Sequence, residues 1–233
     1  MKERLKKYWY VAILILIVII LLGIIVLRQD NVSKTSTEGI IKNTLIPKSK
    51  EELISNIEVE DEILKDGTLI TIIKNNNNCD VKNLVIEPIF YDTEDNVVGT
   101  AKSNFRVIKA GSEVAVNDYS VPNKFEKHKI NLNISEGREY ESYTDKISVT
   151  SNNTGEKVMV TAINESEVDL ARLNIAVVYY KEGKPVGLFE ETQYQIKKGE
   201  TKYFNIMYAY DKNYDNVEFD EYKIFINSAY DTI

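Results

Sequence analysis

The segment Asp211–Asn216 has the residue types and spacing closest to those of a metal site. Asp211, Asn213 and Asp215 place oxygen-bearing side chains at alternate positions, as the first half of an EF-hand calcium loop does. Asn216 stands where such a loop has glycine, and Tyr222 stands where it has a bidentate glutamate. We expect a polar connection here, with calcium binding by the three side chains as the alternative. No other metal and no cofactor is predicted.

Residues suited to catalysis are few. His128 is the single imidazole and Cys79 the single thiol, which excludes a two-histidine metal centre, a cysteine-pair zinc site and an internal disulfide. Charged neighbours place His128 in an exposed loop, and an adjacent acid disfavours a reactive Cys79 thiolate. The acids of Asp92–Asp95 cluster as glycosidase carboxylates do, but on a predicted hairpin turn without a cleft. We therefore predict no catalytic residue and no enzyme activity.

Tyrosine is the remaining residue type with a recognised role in binding surfaces. The chain has 15 tyrosines, and they are concentrated towards its C-terminal end. A tyrosine ring offers a large contact area at low entropic cost, although tyrosine is also common in strands. We predict that four of them contact a partner: Tyr203, Tyr208, Tyr210 and Tyr214.

The N-terminal part of the chain predicts a membrane anchor. Residues 9–27 are uncharged and almost wholly apolar, and as a helix they would span the hydrocarbon core of about 30 Å. This run is longer than the apolar part of a cleaved signal, and no small-residue cleavage site follows it. Basic residues before it keep residues 1–8 in the cytoplasm. The sequence therefore predicts a single-pass signal anchor whose C-terminal region is extracytoplasmic.

Charge and composition exclude one class of partner. The net charge is −7, although residues 1–28 carry an excess of basic residues, so the remainder of the chain is strongly acidic. Nucleic-acid binding depends on clustered lysine and arginine, so we exclude it. Abundant isoleucine and asparagine with little alanine are typical of an AT-rich genome, such as that of a low-GC Gram-positive bacterium.

A polar linker at residues 28–55 separates the predicted anchor from the rest of the chain. Ser49 followed by Glu52 forms a capping-box pattern, which predicts a short helix over Lys50–Ile57. The alternative is that Ile57 already begins a strand.

Two similar segments follow the linker at a spacing of 88 residues. Phe90–Gly99 resembles Val178–Gly187, and Ile108–Gly111 resembles Ile196–Gly199 at the same offset. Both segments alternate apolar and polar residues between turn residues, which predicts antiparallel strands. The predicted strands lie near 57–64, 68–74, 81–91, 97–108, 113–121, 128–135, 146–151, 157–164, 169–180, 185–196, 201–209 and 221–228.

This pattern predicts an all-β fold. We expect two tandem small antiparallel immunoglobulin-like β-sandwich domains, one at residues 56–137 and one at residues 143–233, behind one N-terminal transmembrane helix. The charged stretch between them has no apolar run and marks the boundary.

Three short features recur in both segments. Asparagine follows the first strands (Asn75–Asn78 and Asn164), aromatic residues end a strand before a turn, and a glycine followed by an acid lies between two later strands. The segments 57–135 and 146–228 thereby resemble the FxLYD-type domains of bacterial envelope proteins. The resemblance implies small immunoglobulin-like sandwiches and implies no catalytic residues.

These features predict the class of function. We expect a non-enzymatic binding, scaffolding or assembly module of a bacterial cell envelope. Its partners are the membrane, through residues 9–27, and an envelope protein or polymer. The alternatives are a calcium-dependent adhesin and a carboxylate-based cell-wall hydrolase.

Overall fold

The computed structural model describes residues 48–118, 121–208 and 216–231, and in these ranges the chain is almost entirely antiparallel β-structure. This confirms the predicted all-β fold. The predicted anchor at 9–27, the tail at 1–8 and most of the linker lie outside the described residues. Within them, no helix is long and apolar enough to cross a membrane.

The described elements are one short helix, one turn of 3₁₀ helix at Thr144–Lys146 and thirteen strands. They are α1 (Lys50–Ser55), β1 (Ile57–Ile63), β2 (Leu69–Asn75), β3 (Val81–Tyr91), β4 (Val97–Thr100), β5 (Ser103–Ile108), β6 (Glu113–Asp118), β7 (Lys127–Ile134), β8 (Ile147–Asn153), β9 (Lys157–Asn164), β10 (Leu170–Lys181), β11 (Lys184–Ile196), β12 (Thr201–Met207) and β13 (Glu221–Asp231).

The predicted short helix is confirmed. Ser49 is the N-cap of α1, and its hydroxyl accepts a hydrogen bond from the Glu52 backbone N–H at 3.1 Å. This bond satisfies one of the N–H groups that a helix leaves unpaired at its start. The helix ends at Ser55, and Ile57 begins β1 rather than continuing the helix.

The strands form four antiparallel sheets, two in each half of the described region. In the first half (residues 57–134), sheet A has the order β1-β2-β6, and sheet B has β3 at its centre between β7 and the pair β4 and β5. In the second half (residues 144–231), sheet C has the order β12-β9-β8 and sheet D the order β11-β10-β13. Each half buries its own apolar cluster, contributed by both of its sheets.

The first half differs from the prediction at residues 97–108, which form two strands instead of one. The break lies opposite Pro88 in β3, whose carbonyl accepts from the Ala101 N–H at 3.1 Å. Proline has no N–H to donate on that side, so the ladder is interrupted there. Ala176 lies 88 residues further on, in β10, and pairs with Glu190 in an unbroken β11.

A buried asparagine closes the end of β2. Asn75 is fully buried, and its side-chain amide nitrogen lies 3.0 Å from the carbonyl oxygens of Cys79 and Ile108 and 3.1 Å from that of Lys109. Its backbone carbonyl accepts from the Gly111 N–H at 2.8 Å. Gly111 has a φ of +72°, which favours glycine.

Asn164 makes the equivalent set of bonds at the end of β9. It too is fully buried, and its amide nitrogen lies 2.9 Å from the Val168 carbonyl oxygen, 3.5 Å from that of Ile196 and 3.1 Å from that of Lys197. Its backbone carbonyl accepts from Gly199, whose φ is also +72°. The repeat seen in the sequence therefore extends to individual hydrogen bonds.

The two halves pack against each other through the outer faces of sheets A and D. Ile70, Ile72 and Ala115 of sheet A bury against an apolar face of sheet D, formed by Ala176, Val178, Leu188 and Phe225. Because β2 and β10 have their other faces in the cores of their own halves, both strands are buried on two sides. The layers therefore follow the order B, A, D, C.

Polar contacts add specificity to this interface. The Asn227 amide nitrogen donates to the Ala115 carbonyl at 2.7 Å, and its side-chain oxygen accepts from the Ala115 N–H at 2.9 Å. Asn227 is 5% exposed, so these bonds are formed away from water. The side chain thus occupies the position that a neighbouring strand would take beside β6.

Acid is expected to weaken this packing. Lys223 donates to Glu113 and holds the pKa of that carboxyl below its usual range, and Lys109 likewise lowers the pKa of Asp145. Both pairs join the two halves. Because both pKa values are lowered in the folded chain, the stabilisation is complete above the ordinary values and is lost as pH falls through the lowered ones.

Urea unfolding should therefore show a free energy of unfolding that falls from about pH 5 towards about pH 2. Lys223→Met should make this fall shallower, because the partner that lowers the pKa of Glu113 most is gone and only the longer contact with Lys74, at 3.7 Å, remains. Lys184→Met removes the same charge from an exposed hairpin and is the matched control. Parallel pH curves for both variants and the unmodified chain would contradict the assignment.

Candidate functional site

His128 lies on strand β7 rather than in the exposed loop that its charged neighbours predicted. It pairs with Phe90 of β3, and the two rings stack with centroids 5.8 Å apart. Its Nε2 atom is 2.6 Å from Asp61 Oδ2. The loop assignment was wrong because local charge does not reveal which strand lies beside a segment. His128 is thus half-buried, held by a ring stack with Phe90 and a polar contact with the Asp61 carboxylate.

Cys79 and Asp92 take part in hydrogen bonds that hold the loop and the turn in which they lie. Cys79 lies between β2 and β3, and its carbonyl accepts one of the bonds from Asn75. Asp92 accepts from the backbone N–H groups of Glu94 and Asn96 at 2.8 and 2.9 Å, in the hairpin turn that the sequence predicted. The Asn96 side-chain amide lowers the pKa of Asp92. These bonds hold a turn, and Asp95 of the same turn lines a depression of about 380 Å³ together with His128.

The described carboxyl groups whose pKa is clearly perturbed share one direction of shift. Every carboxyl with a clearly perturbed pKa has it lowered, chiefly by a hydrogen bond from a lysine, an asparagine amide or the backbone: Glu51, Asp92, Glu113, Asp145, Asp169, Glu200 and Glu218. A general acid at neutral pH needs a raised pKa instead. Burial raises the pKa of Tyr180 to about 12, and the nearby Glu60 adds to the effect.

The predicted metal candidates Asp211, Asn213 and Asp215 lie outside the described residues. Within the described ranges, no cluster of three or more histidine, cysteine, aspartate or glutamate side chains is arranged to hold a metal ion. The calcium alternative therefore remains a sequence-based prediction.

The predicted contact tyrosines occupy different environments. Tyr203 is 64% exposed on β12. Tyr208 is 7% exposed, its ring packs against Tyr179 and Phe219, and its hydroxyl donates to Asn153. Tyr208 is therefore a core residue and is not available to a partner. Tyr210 and Tyr214 lie outside the described residues.

Tyr203 belongs to an exposed face that the sequence analysis did not identify. Sheet C has one face in the core of the second half, and on the other face Tyr203, Met159 and Met207 are 64%, 39% and 38% exposed. Tyr203 pairs with Thr161, and Asn205 with Met159, so these side chains lie on neighbouring strands. Apolar residues at outward positions of β9 and β12 were the signal in the sequence. We call this surface the sheet C face.

The edge of sheet C at β8 differs from the corresponding edge of sheet A. Strand β1 has the sequence IEVEDEI, in which four acids discourage the addition of another strand. Strand β8 has the sequence ISVTSNN and no charge. In the described ranges, β8 has strand pairing to β9 alone. It therefore presents an unblocked edge beside the sheet C face.

The opposite edge of sheet C, at β12, is partly occupied. The Asn205 backbone N–H donates to Glu191 Oε2 at 3.0 Å. The Met207 carbonyl accepts from the Tyr179 hydroxyl at 2.9 Å. These two bonds use backbone groups that a partner strand would need. Of the two edges of this sheet, β8 is the better suited to strand addition.

Comparison with known proteins assigns no family. No protein-family model and no curated protein matches the chain. The solved structures similar to it include a red sea bream transglutaminase, at 9% identity and a TM-score of 0.24, with 72% of this chain and 32% of that chain covered. They also include the C-terminal globular domain of an oligosaccharyltransferase from Pyrococcus abyssi, at 15% identity and a TM-score of 0.23, with 84% and 55% covered. The chain thus spans about a third of the first protein and about half of the second, and neither likeness places it in a family.

Proposed function

We propose that this protein is a single-pass, membrane-anchored module that works outside the membrane by binding rather than catalysis, as a scaffolding or assembly component of a bacterial cell envelope. Residues 9–27 provide the anchor, and two tandem immunoglobulin-like sandwiches, at 56–137 and 143–233, form the exposed region. The apolar run with its basic leader supports the anchor. The recurring asparagine networks support the tandem arrangement.

The observation that carries the binding role is the sheet C face beside the uncharged β8 edge. Tyr203, Met159 and Met207 provide exposed apolar and aromatic area, and β8 provides unpaired backbone groups next to it. A partner segment that adds to β8 gains main-chain hydrogen bonds, and the rest of the partner covers the face, which begins at Met159 on the adjacent β9 and extends to Tyr203 on β12.

One labelling experiment tests both the location and the contact. In a Cys79→Ser background, Tyr203→Cys and Tyr194→Cys each place a single thiol at an exposed position, because the two tyrosines are 64% and 62% exposed. Tyr194 lies on sheet D and is the matched control. A membrane-impermeant maleimide should label both thiols equally in the purified full chain. In intact cells it should label position 194 and leave position 203 protected by the partner.

The outcomes separate the two parts of the proposal. If neither thiol is labelled until the cells are lysed, the extracytoplasmic location is wrong. If both are labelled equally in intact cells, the location stands and the contact at Tyr203 is wrong. Thr150→Lys places a charge on the exposed side of β8, so it should restore labelling at position 203 if a partner strand occupies that edge.

A further inference from the structure

A polar groove of about 210 Å³ lies where the two halves meet. One side comes from β5 and β6 of the first half, and the other from β10, β11 and β13 of the second. Its charged lining consists of Arg106, Arg172 and Glu190, and Asn104, Asn174 and Ser228 provide further polar groups. A groove with two arginines is unexpected in a chain of net charge −7.

Arg106 is held in place without a carboxylate partner. Its guanidinium carbon lies 4.3 Å from the ring centroid of Tyr140 and 5.1 Å from that of Tyr230. Within the described residues, no ion pair or hydrogen bond engages its guanidinium. Packing against aromatic rings restrains an arginine while leaving donor N–H groups at its edge. Arg106 is thus pre-positioned to donate to a group in the groove.

Arg172 and Ser228 each carry a buried polar atom that has no partner. The Nε atom of Arg172 and the Oγ atom of Ser228 are both inaccessible to solvent and make no hydrogen bond among the described residues. Among the described residues, the Arg172 guanidinium makes one hydrogen bond, in which Nη2 donates to Thr192 Oγ1 at 3.5 Å. Buried polar groups are nearly always paired in native proteins. Because neither atom reaches solvent, neither can contact a ligand directly. Arg172 therefore lines the groove with the remainder of its side chain, and its guanidinium has no carboxylate partner among the described residues.

We propose that this groove binds a ligand through an oxyanion, either a carboxylate or a phosphate group. The guanidinium of Arg106 and the terminal nitrogens of Arg172 donate to the anionic oxygens, and the Asn104 amide bonds to a neighbouring polar atom of the ligand. Guanidinium groups match carboxylate and phosphate oxygens in a two-pronged geometry. Glu190 limits the net positive charge of the site, which favours a single anionic group over a polyanion.

The site is built from both halves, so the ligand binds their packed arrangement. Arg106 comes from β5 and Arg172 from β10. A ligand that contacts both strengthens the packing of the halves, because binding to one arrangement stabilises it by mass action. This proposal depends neither on the membrane anchor nor on the sheet C face.

The test is a thermal unfolding series on the purified full chain in detergent. Acetate and inorganic phosphate are the two probes, each added at constant ionic strength against chloride. We expect the unfolding midpoint to rise with one or both oxyanions in a saturable manner. A response to acetate alone identifies a carboxylate ligand, and a response to phosphate alone identifies a phosphate group.

Substitutions of the two arginines test whether the shift in the unfolding midpoint arises from binding in the groove. Arg172→Lys keeps the charge but loses the two-pronged donor geometry, so the apparent affinity should fall about tenfold. Arg106→Gln combined with Arg172→Gln should abolish the shift, whereas Lys184→Gln, which removes a charge from a remote hairpin, should retain it in full. The midpoint without added oxyanion, measured for each variant, separates a folding defect from lost binding. An absent shift with both probes, or an undiminished shift in the double variant, would overturn the proposal.

Discussion

Asn164→Ala is expected to lower the free energy of unfolding by about 3–5 kcal/mol, and Asn75→Ala by a similar amount, because each change leaves several buried backbone groups unpaired. The Asn164 amide nitrogen donates to the carbonyl oxygens of Val168 and Lys197 at 2.9 and 3.1 Å, and its side-chain oxygen accepts from the Ser166 N–H at 3.1 Å. The Asn164 side chain itself is 0% exposed, so an alanine there leaves these backbone groups without their buried partner. Urea unfolding followed by circular dichroism measures the loss.

Asn78→Ala is the matched control for this prediction. Asn78 lies in the loop that follows Asn75, but its side chain is exposed and makes no described hydrogen bond. Its replacement should change the free energy of unfolding by less than about 0.5 kcal/mol. Equal losses for Asn75→Ala and Asn78→Ala would show that the buried network does not stabilise the fold.

The same substitution at two adjacent positions of β10, Val177 and Val178, is expected to have different structural consequences. Val177 and Val178 are both 0% exposed. Val177 belongs to the core of the second half, and Val178 belongs to the interface between the halves. Val177→Asp should unfold the second half, since the carboxylate has no route to water. Val178→Asp should separate the halves and leave each one folded, because separation exposes position 178 to solvent.

Small-angle scattering and limited proteolysis distinguish these outcomes. Val178→Asp should give a more extended particle, new cleavage between residues 135 and 143, and unchanged β-type circular dichroism. Val177→Asp should lose dichroism and expose cleavage sites within residues 143–233. If both substitutions unfold the whole chain together, the two segments form one cooperative unit rather than two domains.

Two continuous apolar runs in the sequence indicated that the halves pack against each other. Strand β2 begins Leu69-Ile70-Thr71-Ile72-Ile73, and β10 contains Ile175-Ala176-Val177-Val178-Tyr179. Each run is buried almost throughout. Strict alternation of apolar and polar residues indicates a strand with one solvent-exposed face, whereas a continuous apolar run indicates a strand that is buried on both faces. Strands β2 and β10 are not equivalent in the repeat, since β2 corresponds to β9 and β10 to β3. Each nevertheless carries such a run, which indicates that both are buried on two sides.

The chain by itself determined the all-β class, most strand positions and the repeat, because these depend on local periodicity, turn residues and spacing along the sequence. Asn75, Asn164 and the glycines that follow β5 and β11 are visible as a recurring pattern before their hydrogen bonds are known. The tertiary structure decided which faces and edges remain open. Tyr203 and Tyr208 lie five residues apart, yet Tyr203 is exposed and Tyr208 is buried against Phe219. Arg106 and Arg172 come together from different halves. Such proximity arises from packing between segments distant along the chain, which no local pattern encodes.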